Sequence, residues 1–183
     1  MEPLTIRRPE AADTEALGRF FAGVLQDTYE KEGLGQETEA IEAEILLKKA
    51  YLEDDLATGG TGRYFLLAAE GAEIVGTAEF GPTGDIILEC TGGALAGVPE
   101  VGTVFVRPDR QGQGIGSALL QAVLQAMAAR GHETFCLDSG YTRAQKVWRK
   151  KLGEPCCVAK DYWGPGYDHL VWHRPIAVIL KAE

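Results

Sequence analysis

The stretch Val101–Gly131, VGTVFVRPDRQGQGIGSALLQAVLQAMAARG, constrains the fold more than any other part of the chain. The apolar run Val101 to Val106 predicts a strand. A short polar link then leads into Gln111-Gly112-Gln113-Gly114-Ile115-Gly116, and an alanine-rich amphipathic pattern follows directly. Alternating glycines where a strand gives way to a helix leave backbone N–H groups uncovered at the positive end of the helix dipole. A turn of this kind is suited to cradle a diphosphate.

The spacing argues against a dinucleotide as the owner of that diphosphate. The Rossmann signature is G-x-G-x-x-G, usually in the first strand–turn–helix unit, with an acidic residue about 20 positions on. Here the spacing is G-x-G-x-G and lies past the middle of the chain. Asp138 does end the next predicted strand, about where a ribose ligand would stand, so a nucleotide-dependent oxidoreductase stays in view as a lesser alternative. No Gly-Lys-Ser/Thr follows the glycines, which excludes a Walker-type loop.

At 183 residues the chain is most simply one domain, residues 1–183, with enough length for a hydrophobic core. No stretch approaches the roughly 20 uninterrupted apolar residues of a membrane span, and Met1-Glu2-Pro3 does not open a secretory signal. The cysteines, Cys90, Cys136, Cys156 and Cys157, lack C-x-x-C metal spacing, and adjacent cysteines on a strand point to opposite faces. Reduced thiols and a cytoplasmic location are therefore expected. The formal charge of −9 repels nucleic-acid phosphate and anionic lipid, so neither is an expected partner, and it would favour a cationic substrate such as a primary amine.

Leu4 to Arg8 reads as a short strand ending at Pro9, and Asp13 as the N-cap of a helix to about Tyr29 with Leu17, Phe20, Phe21, Val24 and Leu25 on one face. A second helix, about Glu37 to Ala57, places Ile41, Ile45, Leu52 and Leu56 on one stripe. Arg63–Ala69 and Glu73–Phe80 form a strand pair turning at Gly71. Gly81 to Pro99 reads as a loose segment containing a strand-like Asp85–Cys90. After the glycine motif, a helix Gly114–Arg130 keeps Ile115, Ala118, Leu119, Ala122 and Ala126 on one side. Thr134–Asp138 is a strand, Thr142–Leu152 a helix, and Cys156–Tyr162 with Asp168–His173 a closing strand pair around Gly164-Pro165-Gly166. These elements predict an α/β domain with a mixed, mostly antiparallel sheet flanked by helices.

The central motif resembles the acyl-CoA-binding motif of the GNAT superfamily of N-acyltransferases, Arg/Gln-x-x-Gly-x-Gly/Ala between a strand carrying V-x-P and a helix rich in Ala and Leu. Gln111, Gly114 and Gly116 fill its three fixed places and Val106-Arg107-Pro108 supplies the lead-in. The opening Leu4-Thr5-Ile6-Arg7 and the later Ala144-x-x-x-Trp148-x-x-x-Leu152-Gly153 extend the likeness over nearly the whole chain. The resemblance implies the acyl-CoA N-acyltransferase fold, acetyl-CoA as co-substrate without a metal, and an amine acceptor; it leaves a homodimer open. It also implies that Gly81–Pro99 borders the acceptor site.

By the same resemblance, the N–H groups from Gln111 through Gly112, Gln113, Gly114, Ile115 and Gly116 to Ser117 would hold the diphosphate, with Arg107 and Arg110 either adding charge nearby or simply solvated. The backbone of Val104, Phe105 and Val106 would meet the pantetheine arm and polarise the thioester carbonyl. An alkyl ammonium with a pKa near 10.4 costs about 4–5 kcal/mol to deprotonate at pH 7 unless a base takes the proton within the site. Glu100 matches the place where histone-type members carry a catalytic glutamate, with Glu79 and Glu89 as further candidates acting through water. Where many members carry a tyrosine acid, this chain has Trp148, a core side chain or a wall of the CoA channel; Tyr141, Tyr162 or Tyr167 could substitute as the acid. His169 and His173 would share a strand face roughly 13 Å apart, too far to bind one metal, and Cys136 lacks the His partner of a nucleophile. Direct transfer in a ternary complex is the expectation, with a non-catalytic acyl-CoA-binding module as the alternative.

Overall fold

Residues 2–182 are described by a computed structural model. In chain order the elements are β1 (Leu4–Arg7), a 3-10 turn at Ala11–Asp13, α1 (Thr14–Lys31), α2 (Thr38–Thr58), β2 (Tyr64–Glu70), β3 (Glu73–Gly81) and α3 (Asp85–Cys90). There follow β4 (Glu100–Val106), a 3-10 turn at Pro108–Arg110, α4 (Ile115–Ala129), β5 (Thr134–Ser139), α5 (Thr142–Leu152), β6 (Cys157–Ala159), β7 (His169–Pro175) and α6 (Ile176–Lys181). The strand order is β1-β2-β3-β4-β5-β7-β6. The β1–β2, β2–β3, β5–β7 and β6–β7 pairs are antiparallel and β4–β5 is parallel, giving the mixed, mostly antiparallel sheet flanked by helices that the sequence predicts. The chain divides into two compact units, one running to Phe80 and including Thr103–Val123, the other made of Gly81–Gly102 and the chain from Leu124 on.

In the first unit, α1 forms where the apolar spacing predicts it, and Leu17, Phe20, Phe21, Val24 and Leu25 are buried. Asp13 does not cap the helix with its side chain; it accepts two bonds from Arg7 (2.7 and 2.8 Å) and one from Glu10 N–H (2.7 Å), and the Arg7 bond holds its carboxyl below the usual range. The core joins Leu17, Phe20, Phe21 and Val24 to Leu52 of α2, Phe65, Leu67 and Ala69 of β2, and Ile74 of β3. The predicted α2 stripe holds at Ile41 and Leu52, with Ile45 and Leu56 half-buried. Asp55, on the same side as Leu52, is fully buried, which its polarity does not advertise. It accepts two bonds from Arg8 (both 2.8 Å) and one from Phe65 N–H (2.7 Å), so one carboxylate ties α2 to β2 and to the residue after β1. Leaving such a charge unpaired would cost about 3–5 kcal/mol.

A glycine inside a strand marks a close approach, and Gly76 of β3 is one. A Cβ there would stand 2.7 Å from Leu119 Cδ1, 3.0 Å from Phe105 O and 3.1 Å from Ile115 Cγ2. Its bare Cα thus lets the start of α4 and the end of β4 settle on β3, where Arg107 N–H donates to Val75 O at 2.9 Å. The buried face of α4 is Ile115, Leu119, Leu120, Val123, Leu124 and Met127. The predicted alanines 118, 122 and 126 are only half-buried, because the bulkier side chains take the deepest positions.

In the second unit, Asp85–Cys90 is the helix α3 rather than a strand. A short apolar run is ambiguous by periodicity alone, and here local bonds and burial decide. Gly84 adopts an extended conformation ahead of the first turn, Thr91 Oγ1 donates to Ile87 O at 2.7 Å, and Ile87 is buried with Leu95, Cys136 and Val171. The segment beyond α3 is not loose, since Thr83 Oγ1 donates to Val98 O and to Leu95 O, and Gly93 N–H to Leu88 O at 2.8 Å. β5 and β7 pair from Thr134↔Pro175 to Ser139↔Leu170, and β6 adds at Cys157↔Val171. Trp172, fully buried, donates through Nε1 to Gly153 O and closes the end of α5 at 2.9 Å. The four cysteines are free thiols.

Gly76→Ala should destabilise the protein by about 1–3 kcal/mol through overpacking, read from the midpoint of urea unfolding; an unchanged midpoint would show that β4 and α4 are not held against β3 at this point.

Candidate active site

The 3-10 turn at Pro108–Arg110 carries the chain from β4 into the glycine loop, and Gln111 Nε2 donates back to Val106 O at 3.2 Å, fastening loop to strand. Gly112 and Gly114 have φ of +76° and +84°, a region that side chains avoid, and a Cβ at either would meet nothing within 4 Å. The backbone there is glycine by conformation, and the space above it is open. At Gly116 a Cβ would make only ordinary contact, 3.5 Å from Val106 Cγ2, so the fold itself does not demand glycine. Ala118 N–H donates to Gly114 O at 3.0 Å, which opens the helix, and the amides of the first turn point out of its N-terminal end. No acidic residue stands in the first turn of α4 to compete for them. This set of donors fits the diphosphate of a CoA ester.

Arg107 and Arg110 are engaged by neighbouring carboxylates. Arg107 meets Asp109 at 2.7 Å and Glu73 at 3.2 Å, and Arg110 meets Glu70 at 2.9 Å and Asp109 at 3.3 Å. Such solvent-screened pairs hold their partners weakly, and either guanidinium could turn to a bound anion at little cost.

The strand feeding the loop is bent at Thr103, whose φ is +49°. Holding a β-branched residue there costs on the order of 1–3 kcal/mol unless its surroundings enforce it. Two bonds from β3 do so: Thr77 Oγ1 donates to Thr103 O at 2.8 Å, and Thr103 Oγ1 donates to Glu79 Oε1 at 3.2 Å. A hydrogen bond to a charged group is worth about 1.5–3 kcal/mol, enough to offset the strain. Glu79 is 2 % exposed and its other oxygen accepts from Arg63 at 3.1 Å, while the Arg63 guanidinium lies 3.4 Å from the centre of the Tyr51 ring. Burial pushes the Glu79 carboxyl above its ordinary value, against the pull of Arg63 and Lys48. With both oxygens engaged and almost no exposure, Glu79 is not presented as a base.

Val104, Phe105 and Val106 continue the strand as half-buried residues. The β4–β5 ladder is confined to Glu100↔Cys136 among the described residues. Glu100 is half-buried, and its Oε2 accepts from Gly84 N–H at 2.6 Å, the bond that opens α3. Of the remaining acid–base candidates, Glu89 is exposed and accepts from Tyr162 OH at 2.9 Å, a bond that raises the Tyr162 pKa and makes it a weaker acid. Tyr141 is half-buried at the N-cap of α5, its N–H on Ser139 Oγ at 3.2 Å. Tyr167 is exposed. Trp148 is buried on α5 with Leu152, as a core side chain would be, whereas its neighbour Val147 is 48 % exposed.

Asp138 has a partner that spacing did not suggest. It bonds His169 Nε2 at 2.7 Å, while Trp163 Nε1 donates to His169 Nδ1 at 3.0 Å. An indole can only donate, so Nδ1 accepts and Nε2 is the ring nitrogen that faces the Asp138 carboxylate. Cys136 is buried, and burial pushes its thiol up to about 12.

The sequence pattern of the Acetyltransferase (GNAT) family matches residues 25–153. The chain belongs to this family, and so to the acetyltransferases that use a CoA-based acyl donor. Solved structures with the same fold include the PaiA N-acetyltransferase of Thermoplasma acidophilum in complex with coenzyme A, 18 % identical over 94 % of this chain and 99 % of that one, with a TM-score of 0.68. Ribosomal-protein-alanine N-acetyltransferase of Brucella melitensis is 22 % identical over 93 % and 99 %, with a TM-score of 0.66. An aminoglycoside 6'-N-acetyltransferase complexed with coenzyme A is 16 % identical over 94 % and 97 %, with a TM-score of 0.62. At these identities the likeness establishes the fold. Comparison with curated proteins found no match. Among the described residues no helix is long and apolar enough to cross a membrane.

Because its pKa is raised in the folded state, Glu79 favours folding when protonated, and that contribution is lost as pH rises from the ordinary 4.5 through the raised value. The unfolding midpoint of Glu79→Gln, taken relative to the parent, should therefore climb as pH goes from about 4.5 toward neutrality. A difference that stays flat or shrinks would contradict the burial effect.

Proposed function

We propose that the protein transfers an acetyl group from acetyl-CoA to a primary amine of a small molecule or peptide, directly and within a ternary complex. The observation that carries this is the open glycine loop from Gln111 to Ser117, set between β4 and the N-terminus of α4. In this account the amides of Gln111–Ser117 bind the diphosphate. The peptide groups of Val104, Phe105 and Val106 run along the pantetheine arm and polarise the thioester carbonyl, whose developing negative charge they stabilise. Glu100 takes the ammonium proton, its carboxylate oriented by Gly84 N–H. The amine nitrogen then forms the C–N bond as the C–S bond breaks and the electron pair leaves with sulfur, and the second nitrogen-bound proton passes to the departing thiolate, giving the neutral amide and the free thiol of CoA.

No strong acid is needed at the leaving group. With a thiol pKa near 8.5, protonating the thiolate at pH 7 is worth only about 2 kcal/mol, which is compatible with Trp148 in place of an acid and with a Tyr162 hydroxyl committed to Glu89. Direct transfer is supported by the cysteines, since the Cys136, Cys90 and Cys156 thiols are all pushed upward by burial, and the thiolate is the nucleophilic form. The net charge of −9 supports a cationic acceptor and argues against nucleic acid or an anionic membrane as a partner. The competing account, an acyl-CoA-binding module without turnover, is favoured by Trp148 standing where many family members carry a tyrosine.

Free-thiol release from acetyl-CoA across a panel of primary amines and peptides distinguishes the two. Acetyl transfer with intersecting double-reciprocal lines is expected, and Glu100→Gln should lower kcat by about 10²–10⁴-fold. Parallel lines would contradict direct transfer, and tight CoA binding without any turnover would favour the module.

A further inference from the structure

We infer that Glu79, braced by Arg63, is a positioning residue: it holds Thr103 in the left-handed bend of β4 and thereby aims the peptide groups of Val104–Val106 at the acyl donor. This rests on the reading of β4 as the strand along which the donor lies. Residues two apart on a strand share a face, and β3 uses two of them on one target. Thr77 Oγ1 grips the Thr103 carbonyl at 2.8 Å while the Glu79 carboxylate accepts the Thr103 hydroxyl at 3.2 Å. Both ends of a single strained residue are thus fixed from the neighbouring strand. The carboxylate is itself pinned, with Arg63 on its other oxygen at 3.1 Å and the guanidinium stacked on Tyr51 of α2.

The choice of residue matters. Glycine adopts a φ of +49° without strain, and Gly102 stands immediately before the bend, yet position 103 carries a β-branched residue. Threonine can hold this geometry only while its hydroxyl is engaged. Glycine would permit the bend but not enforce it. Backbone donors that meet charge only in the transition state must be aimed beforehand, and a misplacement of about 1 Å can cost on the order of 100-fold in rate. The predicted consequence is a loss in kcat and not in CoA affinity, because the diphosphate is held by the separate loop at Gln111–Ser117.

The test uses the full-length protein, steady-state kinetics with the best amine, and CoA affinity by calorimetry. Glu79→Leu should lower kcat on the order of 30–100-fold with CoA affinity kept within about twofold. Glu79→Gln, which keeps an acceptor for the Thr103 hydroxyl, should lose less than about fivefold. Thr103→Gly placed in the Glu79→Leu background should restore part of the lost kcat, because glycine adopts the bend without strain although nothing then enforces it. Thr103→Val keeps the volume and removes the hydroxyl, so it should reproduce the Glu79→Leu loss and serves if the leucine variant does not fold. Parental kcat in Thr103→Val, or no rescue of Glu79→Leu by Thr103→Gly, overturns the inference while amine acetylation by the parent still stands. A parent that binds CoA but acetylates no amine removes the underlying reading instead.

Discussion

The site depends on how one strand ends. β4 must lie close to β3, bend at Thr103, and hand the chain to a loop whose amides stay uncovered at the start of α4. Each requirement is met by a particular group. Gly76 gives up a side chain so that Phe105, Ile115 and Leu119 can close in, Thr77 and Glu79 hold the bend, and Gln111 fastens the loop to Val106. The amides at the N-terminus of α4 carry the positive end of the helix dipole, and an anion is the natural complement.

The electrostatics of the surroundings fit that use. The carboxylates near the loop, Glu70, Glu73 and Asp109, are all engaged by Arg107 or Arg110, which limits their repulsion of a phosphate. The buried charges elsewhere are paired: Asp55 with Arg8, and Glu79 with Arg63. In both cases the carboxylate joins secondary-structure elements, so breaking either pair would disturb geometry as well as charge.

Much of this was legible in the sequence because its signals were local. A strand, a polar link and alternating glycines before an alanine-rich helix identify the loop, and the apolar periodicity of α1 and α5 gives those helices nearly to the residue. What stayed hidden was set by distant contacts. Asp85–Cys90 has the composition of a strand, yet its burial beside Leu95, Cys136 and Val171 and the bond from Gly84 to Glu100 make it a helix. Asp138 stands at a ribose-like spacing but serves His169. Glu79 was visible as an acidic residue in an apolar strand, and Gly76 as a glycine in the same strand. Either could have been flagged as unusual, but their partners, Thr103, Arg63 and the start of α4, cannot be read from spacing.

The most direct test of the central claim is thermal unfolding of the full-length protein with millimolar acetyl-CoA, CoA or NADPH. A ligand that binds only the folded state raises the midpoint, by roughly 5–10 °C when its concentration is about 100 times Kd. The account predicts a rise of this kind with acetyl-CoA and CoA and none with NADPH. No shift with either CoA form would mean that the loop from Gln111 to Ser117 is only the start of a helix, and the acyl-transfer roles assigned to Glu100 and to Val104–Val106 would fall with it.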